Sequence, residues 1–284
     1  MNLLWVFVFR NQLRKSVPNL LEGFRIFKQQ VPHAKLLLHT HWSEGWDIPT
    51  LLQEKGIDNK DILTTYFCKH CKSYFISSFY RSRSRLPPHV ASKKTVSSTN
   101  IHNGVSEAQL NEVYNLMDVY CHPFTSGGQE IPIQEAKLTE LITLVTNYSC
   151  GEEYCTEESG GLPLNWAEYR EPGTQFIKAS TDPNHIAEQL LAVYNMPSIE
   201  RAAIGIKARK FVEDYCSIEA IGQELESIID SMPEVDYDFD NPPSRFNADY
   251  KPDFEASEKD FIVSLHKEML GESVDEKHTS FKVW

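Results

Sequence analysis

Asp118 to Asn147 reads DVYCHPFTSGGQEIPIQEAKLTELITLVTN. Val119, Tyr120 and Cys121 make a short apolar run of the kind that forms a buried strand. The loop Phe124-Thr125-Ser126-Gly127-Gly128-Gln129-Glu130 follows, its paired glycines allowing tight turns and close approach of a ligand. Pro132 stands where a first helical residue belongs, because its fixed φ suits that place. Gln134 to Leu138 are good helix formers, and Leu141 to Val145 supplies the next apolar strand. The whole is one βαβ unit. Its loop gathers backbone N–H groups and the positive end of a helix dipole at one point, which suits an anion.

The pattern extends on both sides. Leu3 to Phe9 reads as a buried strand, and a helix opens at Ser16-Val17-Pro18. Leu20, Leu21, Phe24, Phe27 and Val31 recur on that helix at helical spacing, and Lys35 to Thr40 is a second strand. Leu51 and Leu52 mark a shorter helix, and Asp61 to Phe67 a third strand. Residues 68–100 lose this periodicity and read as an inserted loop. Ser106 to Gln109 is a capping box that opens a helix carrying Leu110, Val113, Tyr114 and Met117. Residues 148–176 read as a long irregular segment, and helices are expected at 183–195, 198–215 and 218–231. Alternating strands and helices predict an α/β fold, a Rossmann-like parallel sheet covered by helices. It is expected to span residues 1–232, with 233–284 an acidic, partly extended tail. Ligands of such sheets lie beyond the carboxyl ends of the strands, where the loops at Arg10 and Gly127 would meet.

Bulk properties narrow the function classes. Of 284 residues, 41% are apolar and 24% charged, as in a soluble globular protein. A net charge of −12 argues against broad binding to nucleic acid or anionic membranes, which reward basic surfaces. The apolar run Leu3 to Phe9 is far too short to span a bilayer and lacks the flanks of a signal peptide, so no membrane span is expected. Six unevenly spaced cysteines without such a signal point to reduced thiols and a cytoplasmic location.

Two stretches carry a family resemblance. Phe9-Arg10-Asn11-Gln12-Leu13-Arg14-Lys15, after the first strand, resembles the basic loop that opens the C-terminal domain of GT-B glycosyltransferases. Ser126-Gly127-Gly128-Gln129-Glu130-Ile131-Pro132-Ile133-Gln134-Glu135-Ala136 resembles their Glu-rich donor motif, E-x7-E. The match is closest to glycosyltransferase family 4, retaining enzymes that use nucleotide sugars and generally need no bound divalent metal. The resemblance implies that Arg10 and Lys15 bind the donor diphosphate, where cations stabilise charge growing on the leaving phosphate. It implies that Glu135 holds the ribose hydroxyls and that Gly127, Gly128, Gln129, Glu130 and Ile131 form the donor-sugar loop. The first glutamate of the motif falls on Gly127, and Glu130, three residues later, is a candidate replacement.

GT-B enzymes have a second Rossmann-like domain that holds the acceptor, and this sequence starts at the donor half. The acceptor half is then a separate polypeptide or a missing segment, or the chain works alone. A non-catalytic nucleotide-sugar-binding or assembly subunit of a split enzyme is the alternative. No cofactor is required beyond the nucleotide-sugar substrate.

Cys68-Lys69-His70-Cys71 has the spacing of one zinc knuckle, with only His89 nearby in sequence. Cys150 and Cys155 would complete a zinc set only if the fold brings them close. Arg81, Arg83, Arg85, Lys93 and Lys94 form the sole basic cluster, read as a solvated loop. His122 either borders the donor pocket or is a hydrogen-bonded strand-end histidine. Trp166 and Tyr169 either cover a sugar or base or pack in the core.

Overall fold

A computed structural model describes residues 4–42, 44–68, 70–78, 95–96 and 104–233. The chain divides into two compact units, Met1–Leu225 and Glu226–Trp284. The first unit carries every strand described below. The acidic tail expected after Pro233 and the basic cluster at 81–94 lie outside the described residues.

The expected alternation is present. β1 (Leu4–Val8), α1 (Val17–Lys28), β2 (Lys35–His39), α2 (Ile48–Glu54) and β3 (Ile62–Cys68) come first. β4 (Tyr74–Ser78) and β5 (Thr95–Val96) follow, then α3 (Glu107–Asn115), β6 (Val119–His122), α4 (Ile131–Leu138) and β7 (Ile142–Thr146). The chain continues through α5 (Gly151–Tyr154), β8 (Gly161–Leu164), β9 (Trp166–Arg170) and β10 (Ile177–Thr181). It closes with α6 (Pro183–Asn195), α7 (Ser198–Tyr215) and α8 (Ile218–Ser231). The capping box at Ser106 forms as expected: Ser106 Oγ accepts from Gln109 N–H and Gln109 Oε1 accepts from Ser106 N–H. No helix among the described residues is long and apolar enough to cross a membrane.

The main sheet runs β4-β3-β2-β1-β6-β7-β8, with β5 beside β3. β3, β2, β1, β6, β7 and β8 are all parallel to their neighbours. This is the doubly wound strand order, and it reverses between β1 and β6. Continuous burial of Leu36 to Leu38, Val119 to Cys121 and Leu144 to Val145 follows from helices covering the sheet. α1 supplies Leu20, Leu21, Phe24 and Phe27 to the core and packs on α6.

Two segments read as irregular are partly regular. Residues 68–100 include β4, antiparallel to β3. Residues 148–176 include α5, β8 and β9, and β9 pairs with β10 as a separate hairpin.

The far end of α4 is clamped by α7. A Cβ at Gly205 of α7 would collide with the carbonyl of Glu140, which itself sits at φ 61°. Alanine gains up to about 1 kcal/mol of helix propensity over glycine. Backbone cannot yield as a side chain does, so crowding of about 1–3 kcal/mol or more outweighs that gain. Gly205→Ala is expected to lower the urea midpoint, and an unchanged or raised midpoint would contradict the clamp.

Candidate functional site

The strand reversal lies between β1 and β6, and the loops that leave them meet where doubly wound sheets have their ligand crevice. The β1 loop ends in a tight 3-10 turn, Leu13–Lys15, and Ser16 then takes φ 47° and ψ 37°. A left-handed conformation costs a non-glycine residue about 1–2 kcal/mol. The turn carries Lys15 inward to 3% exposure while the side chain of Arg14 stays 41% exposed. The two loops are stitched together by Thr125 N–H, which donates to the Arg14 carbonyl at 2.8 Å.

Arg14 and Lys15 converge on one carboxylate. Glu130, the residue before α4 and 1% exposed, receives Arg14 Nη1 on Oε1 and Lys15 Nζ on Oε2. His122 Nε2 stands 3.1 Å from the same Oε2 and 3.3 Å from Lys15 Nζ. Its Nδ1 lies 2.8 Å from the Tyr120 hydroxyl, which donates to the Val8 carbonyl at 3.0 Å. Phe7 and Phe124 enclose the imidazole, their ring centres 5.1 and 5.5 Å away.

These surroundings set the charges. Burial, then the Lys15 charge, pushes His122 down to about 4, so the ring is neutral at pH 7. Burial lowers Lys15 as well, and Glu130 opposes that only in part. Burial alone would raise Glu130, yet contact with His122 and Lys15 holds it well below the ordinary carboxylate range. With the imidazole neutral, the positive charge facing Glu130 is that of Lys15 and Arg14.

The glycine loop is held on two further sides. Ser149 Oγ donates to the Gly127 carbonyl at 2.7 Å. From the β9–β10 hairpin, Ala179 N–H donates to the Thr125 carbonyl at 2.9 Å and Lys178 Nζ to Ser126 Oγ at 2.7 Å. Trp166 packs on Tyr148, ring centres 4.7 Å apart, and donates its N–H to the Asn147 carbonyl. Tyr169, on β9, is 37% exposed.

A cleft of about 280 Å³ opens next to this cluster, lined among others by Phe9, Arg10, His39, Glu44, Leu110 and Pro132. Arg10 lies on its rim, its side chain 55% exposed and bound to Glu44 Oε1 at 2.7 and 2.9 Å. Glu135, one turn into α4, accepts from the Tyr114 hydroxyl at 2.8 Å.

Of the residues singled out from the sequence, Lys15, Glu130, Gly127 and His122 come together. Arg10 and Glu135 lie off that cluster, the first on the cleft. Gly128 faces open space, and Gln129 on the same loop and Ile131 at the start of α4 are exposed. Arg14 and Lys178 carry no sequence signal of their own. Arg14 differs from Arg10 only by its place in the 3-10 turn, and Lys178 approaches through the β9–β10 hairpin, which no apolar alternation marks. Cys68 is buried in β3 and Cys71 is exposed beside Ser73 Oγ. Among the described residues, no three His, Cys, Asp or Glu side chains are grouped to hold a metal ion.

The chain superposes on S. aureus TarM (a point mutant, in complex with fondaparinux, alpha-GlcNAc-glycerol and UDP) with a TM-score of 0.53. Identity there is 12%, over 81% of this chain and 36% of that one. A sucrose-phosphate synthase from Thermosynechococcus elongatus gives 0.52 at 15% identity, covering 81% and 46%. A glycosyltransferase from Rickettsia africae gives 0.51 at 13% identity, covering 80% and 47%. The fold is that of a GT-B glycosyltransferase domain. No protein-family model and no curated protein matches the sequence. The chain spans less than half the length of these three structures. The doubly wound sheet therefore corresponds to part of each, and sheets of this kind generally bind their ligands at the strand reversal.

Proposed function

We propose that this chain binds a nucleotide sugar at the β1–β6 crevice and serves as the donor half of a retaining glycosyltransferase. A second domain holds the acceptor. One observation carries the reading: Arg14 and Lys15 converge on an anion at the N-terminal end of α4, at the strand reversal. A sugar transfer leaves a nucleoside diphosphate, and preorganised cations stabilise charge as it grows on that leaving group. The arginine fork grips two phosphate oxygens, while the lysine acts as a compact charge. The helix N-terminus adds backbone N–H groups. Arg10, matched to the diphosphate pair in sequence, sits on the neighbouring cleft, and an Arg10→Ala variant tells whether it shares the load with Lys15.

Glu135 fits the ribose role, because one carboxylate accepts from two hydroxyls at once. Its hydrogen bond from Tyr114 leaves the other oxygen for a ligand. Tyr114 thus positions Glu135, and Tyr114→Phe is expected to weaken UDP roughly three- to tenfold, the size of one net hydrogen bond. UMP and uridine weaken alike because they share the ribose, whereas inorganic pyrophosphate is unaffected. A loss of pyrophosphate binding would contradict the assignment.

UDP is the first probe, since the S. aureus TarM structure holds it, and GDP the second. Calorimetric titration into the full chain should show binding of one of them at millimolar concentration or below. No binding of either removes the proposal. A non-catalytic nucleotide-sugar-binding subunit is the second reading, favoured by Gly127 standing where the motif has a glutamate. Hydrolysis of a nucleotide sugar by the isolated chain would count against it.

A further inference from the structure

Arg14 and Lys15, the cations assigned to the diphosphate, are already opposed by a carboxylate of their own chain. Glu130 is placed to cap α4, yet its side chain accepts from none of that helix's N–H groups. It turns back instead and gives one oxygen to each cation. Glu130 is 1% exposed and Lys15 3%, so the ammonium offers no open face to a ligand. Gly127 makes the turn possible. A Cβ there would stand 2.6 Å from Glu130 Oε1 and 3.4 Å from Arg14 Nη1, while one on Gly128 would meet nothing. The loop is thus bare of side chain where the carboxylate lies and has open room beside it.

We propose that Glu130 is an internal anion that occupies the diphosphate position of the empty site, so that a nucleoside diphosphate binds by displacing it from Lys15. The proposal rests on the diphosphate reading of this site and adds its regulation. The exchange replaces one carboxylate with a ligand of greater charge and more acceptor oxygens, so the diphosphate wins at sufficient concentration. The buried Lys15 is not left unopposed in the meantime, which a desolvated charge could not sustain. Apparent affinity is reduced by the fraction of chains whose carboxylate stays in place. The released side chain starts at the N-cap of α4, where free N–H groups favour negative charge.

The test is calorimetric titration of inorganic pyrophosphate and UDP into three full-length proteins: wild type, Glu130→Gln and Gly127→Ala. The glutamine keeps the shape and removes the charge. The alanine keeps the charge and crowds the carboxylate off Arg14. Both variants are expected to bind each ligand roughly tenfold or more tightly than wild type, the weight of a charged hydrogen bond. Circular dichroism confirms folding, and if the glutamine variant does not fold the alanine variant decides. Wild-type binding with neither folded variant tighter overturns the internal anion and leaves the diphosphate site standing. If none of the three binds either ligand, the diphosphate reading and the internal anion both fall.

Discussion

Lys15→Met is expected to lose UDP binding by about a hundredfold and to destabilise the fold by about 3–5 kcal/mol. Both effects have one source. The ammonium sits in the anion site, buried with Glu130 and 3.3 Å from a neutral imidazole. Removing it leaves the carboxylate facing only Arg14, whose side chain is 41% exposed and screened by water. Taking one partner from a buried pair is far costlier than replacing both, because the remaining charge stays desolvated. The double variant Lys15→Met with Glu130→Leu should therefore regain most of the stability and none of the binding. Urea unfolding and calorimetry read the two quantities separately. A single variant that binds like wild type would place the diphosphate elsewhere.

Acid should destabilise the protein well before its carboxylates protonate. His39 and His122 are each pushed by burial from 6.5 to about 4. The native state keeps both rings neutral, while the unfolded chain protonates them below its ordinary value. Stability is thus undiminished above about pH 6.5 and falls as pH drops toward 4, where protons bind the unfolded state only. The drop corresponds to on the order of 3 kcal/mol for each ring. Glu130, whose folded value is depressed, acts in the same sense lower down: its contribution is present above the ordinary carboxylate value and lost below it. Urea midpoints should fall steeply between pH 6.5 and 4.5, and His39→Gln should remove about half of that slope. A flat profile over this range would show that the rings are charged or solvated in the native state.

Much of the fold is legible in the sequence because local and global signals agree there. The apolar runs of β1, β2, β3, β6 and β7, the Ser106 capping box and the helices at 183–195, 198–215 and 218–231 lie where pattern places them. The misses have physical reasons. β8, Gly161-Leu162-Pro163-Leu164, holds a glycine and a proline, and it survives as a strand because it lies at the sheet's edge. In β9 four of five residues are exposed, so no apolar alternation marks it. β4 follows an unpatterned turn and is mostly half-buried.

The site divides along the same line. Glu135, Lys15 and Arg10 carry motif signals. Arg14 does not, because only the 3-10 turn carries it to Glu130. Glu130 stands out in the sequence as a candidate sugar contact, but its turn toward the two cations does not. A glutamate at a helix start ordinarily reads as a cap, and only Gly127, three residues back, gives it room to fold inward.

A crystal structure of the full chain grown with saturating UDP would test the central claim most directly. The account predicts both phosphates at the N-terminal end of α4, one oxygen on Arg14 or Lys15, the ribose against Glu135 and the Glu130 carboxylate moved off Lys15. UDP bound outside the β1–β6 crevice, or phosphates in that crevice touching neither cation, would contradict it.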